Sequence, residues 1–181
     1  MMNIFREKGR SALRRRAVGP CLALCLTVSI AACVPFGASG PTSYRDVDAP
    51  IGATTRFNAA DFAGEWVLVA SFAPRREGAV AFSHDPARQT LTLTSDVIAD
   101  RAGIYFVSDP GVLRDSARSE NTLVVMWVDE AFRTAAIGTV AGDFGAVLNR
   151  GSDTPGDRAA AARDVLAFYG WDISQLRRTL P

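Results

Sequence analysis

The 181-residue sequence holds few groups able to make or break bonds, and their spacing decides against most of that chemistry. Its single histidine, His84, runs straight into Asp85-Pro86, a turn signal that places the imidazole on a solvated loop. The three cysteines, Cys21, Cys25 and Cys33, all fall near the N-terminus, and no pair of His or Cys has the spacing of a zinc site. Ser71, Ser83 and Ser108 lack a histidine placed to activate them. Asp129-Glu130 could be read as paired carboxylates, but neighbours on a tight turn point apart and solvate. No glycine-rich loop follows a strand and opens a helix, so a phosphate cradle is not expected. The sequence therefore predicts no catalytic residue, no metal and no cofactor. It directs attention to binding or to a structural role.

The charge is divided along the chain. Six of the 20 basic residues lie in the first 32, opposed only by Glu7. Beyond Ala32 there are fourteen basic and eighteen acidic residues, a net charge of −4, and no lysine. A nucleic-acid surface needs clustered cations on phosphates, so that partner is not expected. Residues 5–16 are cationic and residues 17–32 mostly apolar, the layout of a secretory signal. The apolar run is 16 residues long with Pro20 inside it, which is short for a hydrocarbon core of about 30 Å. Ile30-Ala31-Ala32-Cys33 resembles the bacterial lipobox. That resemblance implies cleavage before Cys33 and acylation of its thiol, with several chains at about 0.8 kcal/mol per buried CH₂ giving lasting attachment. Val34 stands where an aspartate would favour inner-membrane retention, so an outer-membrane, periplasm-facing location is expected. On this reading Cys21 and Cys25 leave with the signal, and no thiol remains for a disulfide.

Residues 33–56, rich in Pro, Gly, Ser, Thr and Asp without a sustained period, read as the lipidated cysteine and a flexible tether. From residue 57 to 181 the pattern becomes that of one domain. Asn58 or Asp61 could cap a helical turn. Strands are expected at Gly64–Ala73, Ala79–His84, Gln89–Ser95, Gly103–Ser108, Val112–Arg114, Thr122–Val128, Phe132–Val140 and Phe144–Arg150. Strict alternation in Thr90-Leu91-Thr92-Leu93-Thr94 turns both leucines to one face. Seven or eight short strands with no helix between them predict an antiparallel sandwich or up-and-down barrel. A helix then follows Pro155, capped by Asp153 or Thr154 and stopped by Gly170. Its stripe, Ala162, Val165, Leu166 and Tyr169, needs an apolar partner, and Thr122–Val128 is apolar on both faces.

Three separated stretches, in this order, carry a resemblance to the lipocalins, in particular their bacterial outer-membrane lipoprotein branch. Asp61-Phe62-Ala63-Gly64-Glu65-Trp66 is similar to the family's Gly-x-Trp opening, although Val67 stands where the family has tyrosine. Val124 to Ala135, with Asp129 starting the turn, resembles the central run, and Asp143 to Arg150 resembles the last strand. Ala167 to Leu176 is similar to the tail after the family helix. The resemblance implies an all-β fold with a C-terminal helix: an up-and-down barrel, shortened because the stretch Ala73–Glu120 leaves little room for the middle strands. It further implies that Trp66 plugs one end, that Arg150 lies across the indole, and that Gly64 permits close approach.

An eight-stranded barrel can hold one small ligand, contacted by the inward parity of each strand. If Trp66 points inward, so do Leu68, Ala70 and Phe72. Leu91 and Leu93 join them by alternation, and Phe82, Tyr105 and Met126 complete the expected lining. The resemblance implies binding of a fatty acid, lysophospholipid or similar membrane lipid for transport, storage or envelope maintenance, with no enzymatic step. The alternative is an envelope lipoprotein whose barrel is packed solid and whose surface docks a partner.

Overall fold

The computed structural model describes residues 43–73, 75–118, 121–151 and 153–179. The expected signal (1–32), Cys33 and the tether as far as residue 42 lie outside the described residues. A single helical turn, α1 (Ala59–Phe62), opens the barrel. Of the two candidate caps it is Asn58 that serves: its Oδ1 accepts from the N–H of Ala60 (2.9 Å) and of Asp61 (3.2 Å), satisfying donors that a helix start leaves free.

Eight strands follow: β1 (Gly64–Ser71), β2 (Ala79–Asp85), β3 (Thr90–Ser95), β4 (Gly103–Asp109), β5 (Val112–Asp115), β6 (Leu123–Val128), β7 (Thr134–Thr139) and β8 (Gly145–Asn149). Each pairs antiparallel with its neighbour, and β1 pairs with both β2 and β8, which closes the sheet into an up-and-down barrel. No barrel strand is missing from the middle of the chain. Residues 73–120 accommodate the middle strands partly through a tight turn, Pro110-Gly111 alone linking β4 to β5. A two-residue strand, β9 (Arg177–Arg178), pairs with Ala70 and Ser71 of β1. His84 belongs to the end of β2, half-buried opposite Leu91, rather than to the turn beyond it.

Two β-bulges decide which side chains enter the barrel. In β1 the register with β8 slips between Leu68 and Ala70; in β6 the register with β7 slips between Val125 and Trp127. A bulge sets two residues opposite one and so reverses the alternation beyond it. Trp66 and Leu68 therefore join the inner core, while Val69, Ala70 and Phe72 face outward. Val125 and Val128 are likewise inside, and Met126 and Trp127 outside.

The outward residues are not wasted on solvent. Helix α2 (Gly156–Phe168) lays Ala162 and Leu166, both fully buried, against them, with Val165 and Tyr169 at the flanks. Neither Asp153 nor Thr154 caps α2. Pro155 takes the N-cap position in extended geometry, and its carbonyl accepts from the Ala159 N–H at 3.0 Å. At the other end Gly170, at φ +84°, reverses the chain as expected, and the Trp171 N–H returns to the Leu166 carbonyl at 3.1 Å. The Trp171 indole lies on the paired glycines Gly138 and Gly145, where any Cβ would collide with it.

The described part of the expected tether is docked. Tyr44 N–H donates to the Gly142 carbonyl (2.8 Å), Asp46 N–H to that of Gly170 (2.9 Å) and Thr54 N–H to that of Val125 (2.9 Å). Arg45, 5% exposed, spends its guanidinium on the carbonyls of Tyr169, Val140 and Ala49. Residues 43–56 are thus a strap over the outer core. Tyr44, Ile51 and Ala53 supply the apolar contact that its polar composition concealed.

Candidate functional site

The strand directions sort the barrel into two ends. Gly64, the β6–β7 turn and Arg150 share one; the connections 72–78, 96–102, 116–122 and 140–144 share the other.

At the first end Trp66 is 1% exposed and its Nε1–H donates to the Phe62 carbonyl at 2.8 Å. The Arg150 guanidinium stacks on the indole at 3.9 Å from the ring centroid. It also donates to five carbonyls: Glu65 (2.8 Å), Asp61 and Ala63 (2.9 Å each), Phe132 (3.1 Å) and Phe62 (3.2 Å). Gly64 sits at φ +105°, and a Cβ there would come within 2.9 Å of Arg150 Nη1. Both the backbone conformation and the space thus exclude a side chain at this position. Gly64, Trp66 and Arg150, expected together, thus stand in contact at this end of the barrel.

Buried side chains occupy the interior above this plug. Of the residues expected to contact a ligand, Leu68, Phe82, Leu91, Leu93 and Tyr105 stand together in the inner core, each no more than 2% exposed. Ala70, Phe72 and Met126 do not join them, because the two bulges turn them under α2 and the strap. Phe57, Phe62, Ile98 and Phe144 enter from the ends and occupy the space between the walls. Three surface cavities, of about 330, 430 and 500 Å³, lie outside the barrel wall, and none is lined by a buried residue of the inner core.

The second end is the mouth, and a polar latch shuts it. Arg101, 8% exposed, ends a 3-10 turn (Ala99–Arg101). Its Nη1 donates to Asn121 Oδ1 and its Nη2 to Asp143 Oδ2, both at 2.7 Å, while the guanidinium lies 5.5 Å from the centre of the Phe144 ring. Asn121 donates onward to Asp115 (3.3 Å), which also binds Arg118 and the N–H groups of Ala117 and Arg118. Arg75 pairs with Asp100 through two contacts of 3.2 Å and adds a second cation to Phe144. All four mouth connections are thereby joined through side chains.

The electrostatics follow from this geometry. Burial is the largest influence on the Asp143 carboxyl and pushes its pKa up. Hydrogen bonds from Thr139 and Arg101, with the Arg101 charge, outweigh it and leave the group below its usual 3.8. Asp115 behaves alike: burial raises it, and the Ala117 N–H, Asn121 and Arg118 together hold it low. Tyr105, whose hydroxyl donates to the Arg101 carbonyl at 2.6 Å, is pushed up to about 12, by burial first and by Asp115 second. It stays a neutral donor.

Two features of the interior face the latch. Ile98, fully buried, hangs from the segment that carries Arg101, so stopper and bolt belong to one connection. Ser71 lies opposite the inward Ala146, 1% exposed, and its Oγ has no hydrogen-bond partner. The sequence reading passed over Arg101, Asp115, Asn121 and Asp143. Counting strand directions from Trp66 would have assigned their four connections to a common end. Among the described residues no group of His, Cys, Asp or Glu could hold a metal ion, and no helix is long and apolar enough to cross a membrane.

No protein-family model and no curated protein matches this sequence. Solved structures do match its fold. Apocrustacyanin C1 aligns with a TM-score of 0.53 at 14% identity, over 68% of this chain and 79% of its own. Apocrustacyanin C2 gives 0.52 at 15%, over 77% and 89%, and the siderocalin Ex-FABP 0.51 at 14%, over 67% and 95%. At such identities the likeness establishes architecture alone. These neighbours are lipocalin/calycin proteins, and the chain has their fold: a closed, eight-stranded, antiparallel up-and-down barrel with a C-terminal helix.

Proposed function

We propose that the protein is a lipid-anchored lipocalin-type barrel that binds one small hydrophobic or amphiphilic molecule, of the fatty-acid or lysophospholipid class, without transforming it. The anchor is Cys33, and the expected setting is the periplasmic side of a bacterial outer membrane. The mouth carries this reading. A largely apolar interior is closed there by side-chain ion pairs, and the Ser71 hydroxyl beneath them has no partner. An orphaned buried hydroxyl costs about 1–3 kcal/mol, a penalty that a ligand head group would relieve. Withdrawing Arg101 from Asp143 and Asn121 would carry Ile98 out with it and create room in the interior. The fold neighbours are in keeping with this, one being a siderocalin described as functioning through dual ligand specificities.

Native mass spectrometry of the full chain purified from membranes tests the proposal. A bound lipid of about one acyl chain is expected, with displacement of a fluorescent fatty acid. A second reading, a solid barrel that carries no ligand and serves as an interaction scaffold, is favoured by the bulk of Phe57, Phe62, Phe82, Tyr105 and Phe144 within the core. An empty protein that displaces nothing would establish that reading instead.

A further inference from the structure

The outer wall offers a second place for an amphiphile. Between β1, β8, the start of α2 and β9 lies a groove of about 330 Å³, at the lower limit of small-molecule sites. Val69, Ala70, Val147 and Leu176 form its apolar floor. Arg163, Arg177 and Arg178 stand on its rim, all three exposed, and no carboxylate lines it. Arg177 donates to the carbonyls of Ser174 and Leu176. Among the described residues Arg163 and Arg178 have neither an ion pair nor a side-chain hydrogen bond. Thr154 Oγ1, on the same wall, is buried without a partner.

Two unpaired cations here stand beside an apolar floor whose residues are mostly buried at the base of the groove, in a domain of net negative charge. The bulge in β1 creates that floor, because it sets Val69 and Ala70 side by side on the outer face. An apolar floor with cations along one edge complements a single acyl chain ending in an anion. The volume admits one such chain segment rather than two.

We infer that this groove binds a single-chain fatty carboxylate on the outside of the barrel, its chain on Val69, Ala70, Val147 and Leu176 and its carboxylate between Arg163 and Arg178. The inference rests on the reading of the protein as an amphiphile binder and adds a site that does not require the mouth to open.

Photo-crosslinking of the full-length, membrane-attached chain with a diazirine-bearing dodecanoate tests it, with dodecanol carrying the same diazirine as the uncharged control. Labelling is expected on peptides from β1, β8 and the first half of α2, and should fall roughly tenfold in Arg163→Gln/Arg178→Gln, as the loss of charge-assisted contacts requires. Both positions are exposed, so the variant retains the fold; circular dichroism and an unchanged melting temperature verify this. Labelling confined to β3 and β4 would overturn the groove and leave interior binding standing. Labelling nowhere would overturn both sites. Equal labelling of the groove by the alcohol would overturn the role of the arginines.

Discussion

Each end of the barrel is held by an arginine, half-buried Arg150 at one and buried Arg101 at the other, and the difference lies in what the two arginines hold. Arg150 meets an indole face and five main-chain carbonyls, none of which can change charge. Arg101 meets side chains on the connections between strands: the amide of Asn121 and the carboxylate of Asp143, with Asp100 3.2 Å from its Nε. A carbonyl clamp is as permanent as the backbone that carries it. A side-chain latch can be undone by one rotamer, one proton or one substitution. The lesson is that one end of this container is built as a floor and the other as a door, and the predictions below are designed to break that distinction.

The largest effect is expected at the floor. Trp66→Ala removes a fully buried aromatic against Phe62, whose ring centroid lies 4.9 Å away, and strips Arg150 of its stacking partner. Such truncations cost about 3–5 kcal/mol, and global stability in urea should fall by that amount. Arg101→Met keeps the apolar stem but removes the latch, and the expected cost is about 2–3 kcal/mol for hydrogen bonds to charged groups. Hydrogen exchange separates the two variants better than stability does. In Arg101→Met the amides of residues 96–102 and 116–122 should lose protection while those of β1 and β8 near Arg150 keep it. Uniform loss of protection in both variants would show that the ends are one cooperative unit and not floor and door.

Acid should loosen the door and spare the Arg150 clamp, the floor end having among the described residues only Asp85, held below 3.8 by its hydrogen bond from Arg88, to titrate in the same way. Asp143 and Asp115 both have folded-state pKa values below 3.8. Their contribution is therefore complete above the unfolded value of 3.8 and is lost as the pH falls through the lower folded values. Between pH 7 and pH 5 the mouth should stay shut. Below about pH 3.8 its amides should exchange faster, and exchange of the proposed ligand should quicken. The Arg150 clamp has no partner that titrates in this range. Exchange rates near Arg150 that rise in step with those at the mouth would remove the distinction.

The sequence disclosed these regions unequally, and for physical reasons. Trp66 and Arg150 were legible because the floor depends on two rare residue types at the ends of two well-marked strands. Leu91 and Leu93 were legible because their strand is half-polar and the alternation shows. Val67 to Ala70 and Val124 to Val128 are apolar throughout, so parity leaves no trace in them and neither bulge could be read. That is why Ala70, Phe72 and Met126 were expected inside and stand outside. The latch was hidden differently. Arg101, Asp115, Asn121 and Asp143 come from separate loops, and only barrel closure brings them together. The strap was hidden by composition, since its attachment runs through main-chain hydrogen bonds and Arg45.

The smallest prediction concerns one outlying ion pair at each end, and it sharpens the contrast most economically. At the floor Arg133 lies 3.7 Å from Asp129, and its side chain is 59% exposed. At that distance and exposure the pair contributes about 0–0.5 kcal/mol, because water screens it and the arginine gives up rotamer freedom to form it. Asp129 is in any case held by the N–H groups of Arg133 and Thr134, both at 2.5 Å, which no side-chain change removes. Arg133→Ala should therefore leave stability unchanged at any salt concentration. At the mouth Arg75 is 20% exposed, meets Asp100 through two bonds and covers Phe144, so its alanine variant should cost about 1 kcal/mol. Part of that cost should vanish at 1 M salt, where charges are screened over about 3 Å. If Arg133→Ala proved as costly and as salt-sensitive as Arg75→Ala, the floor too would depend on side-chain charge, and the two ends would differ only in residue names.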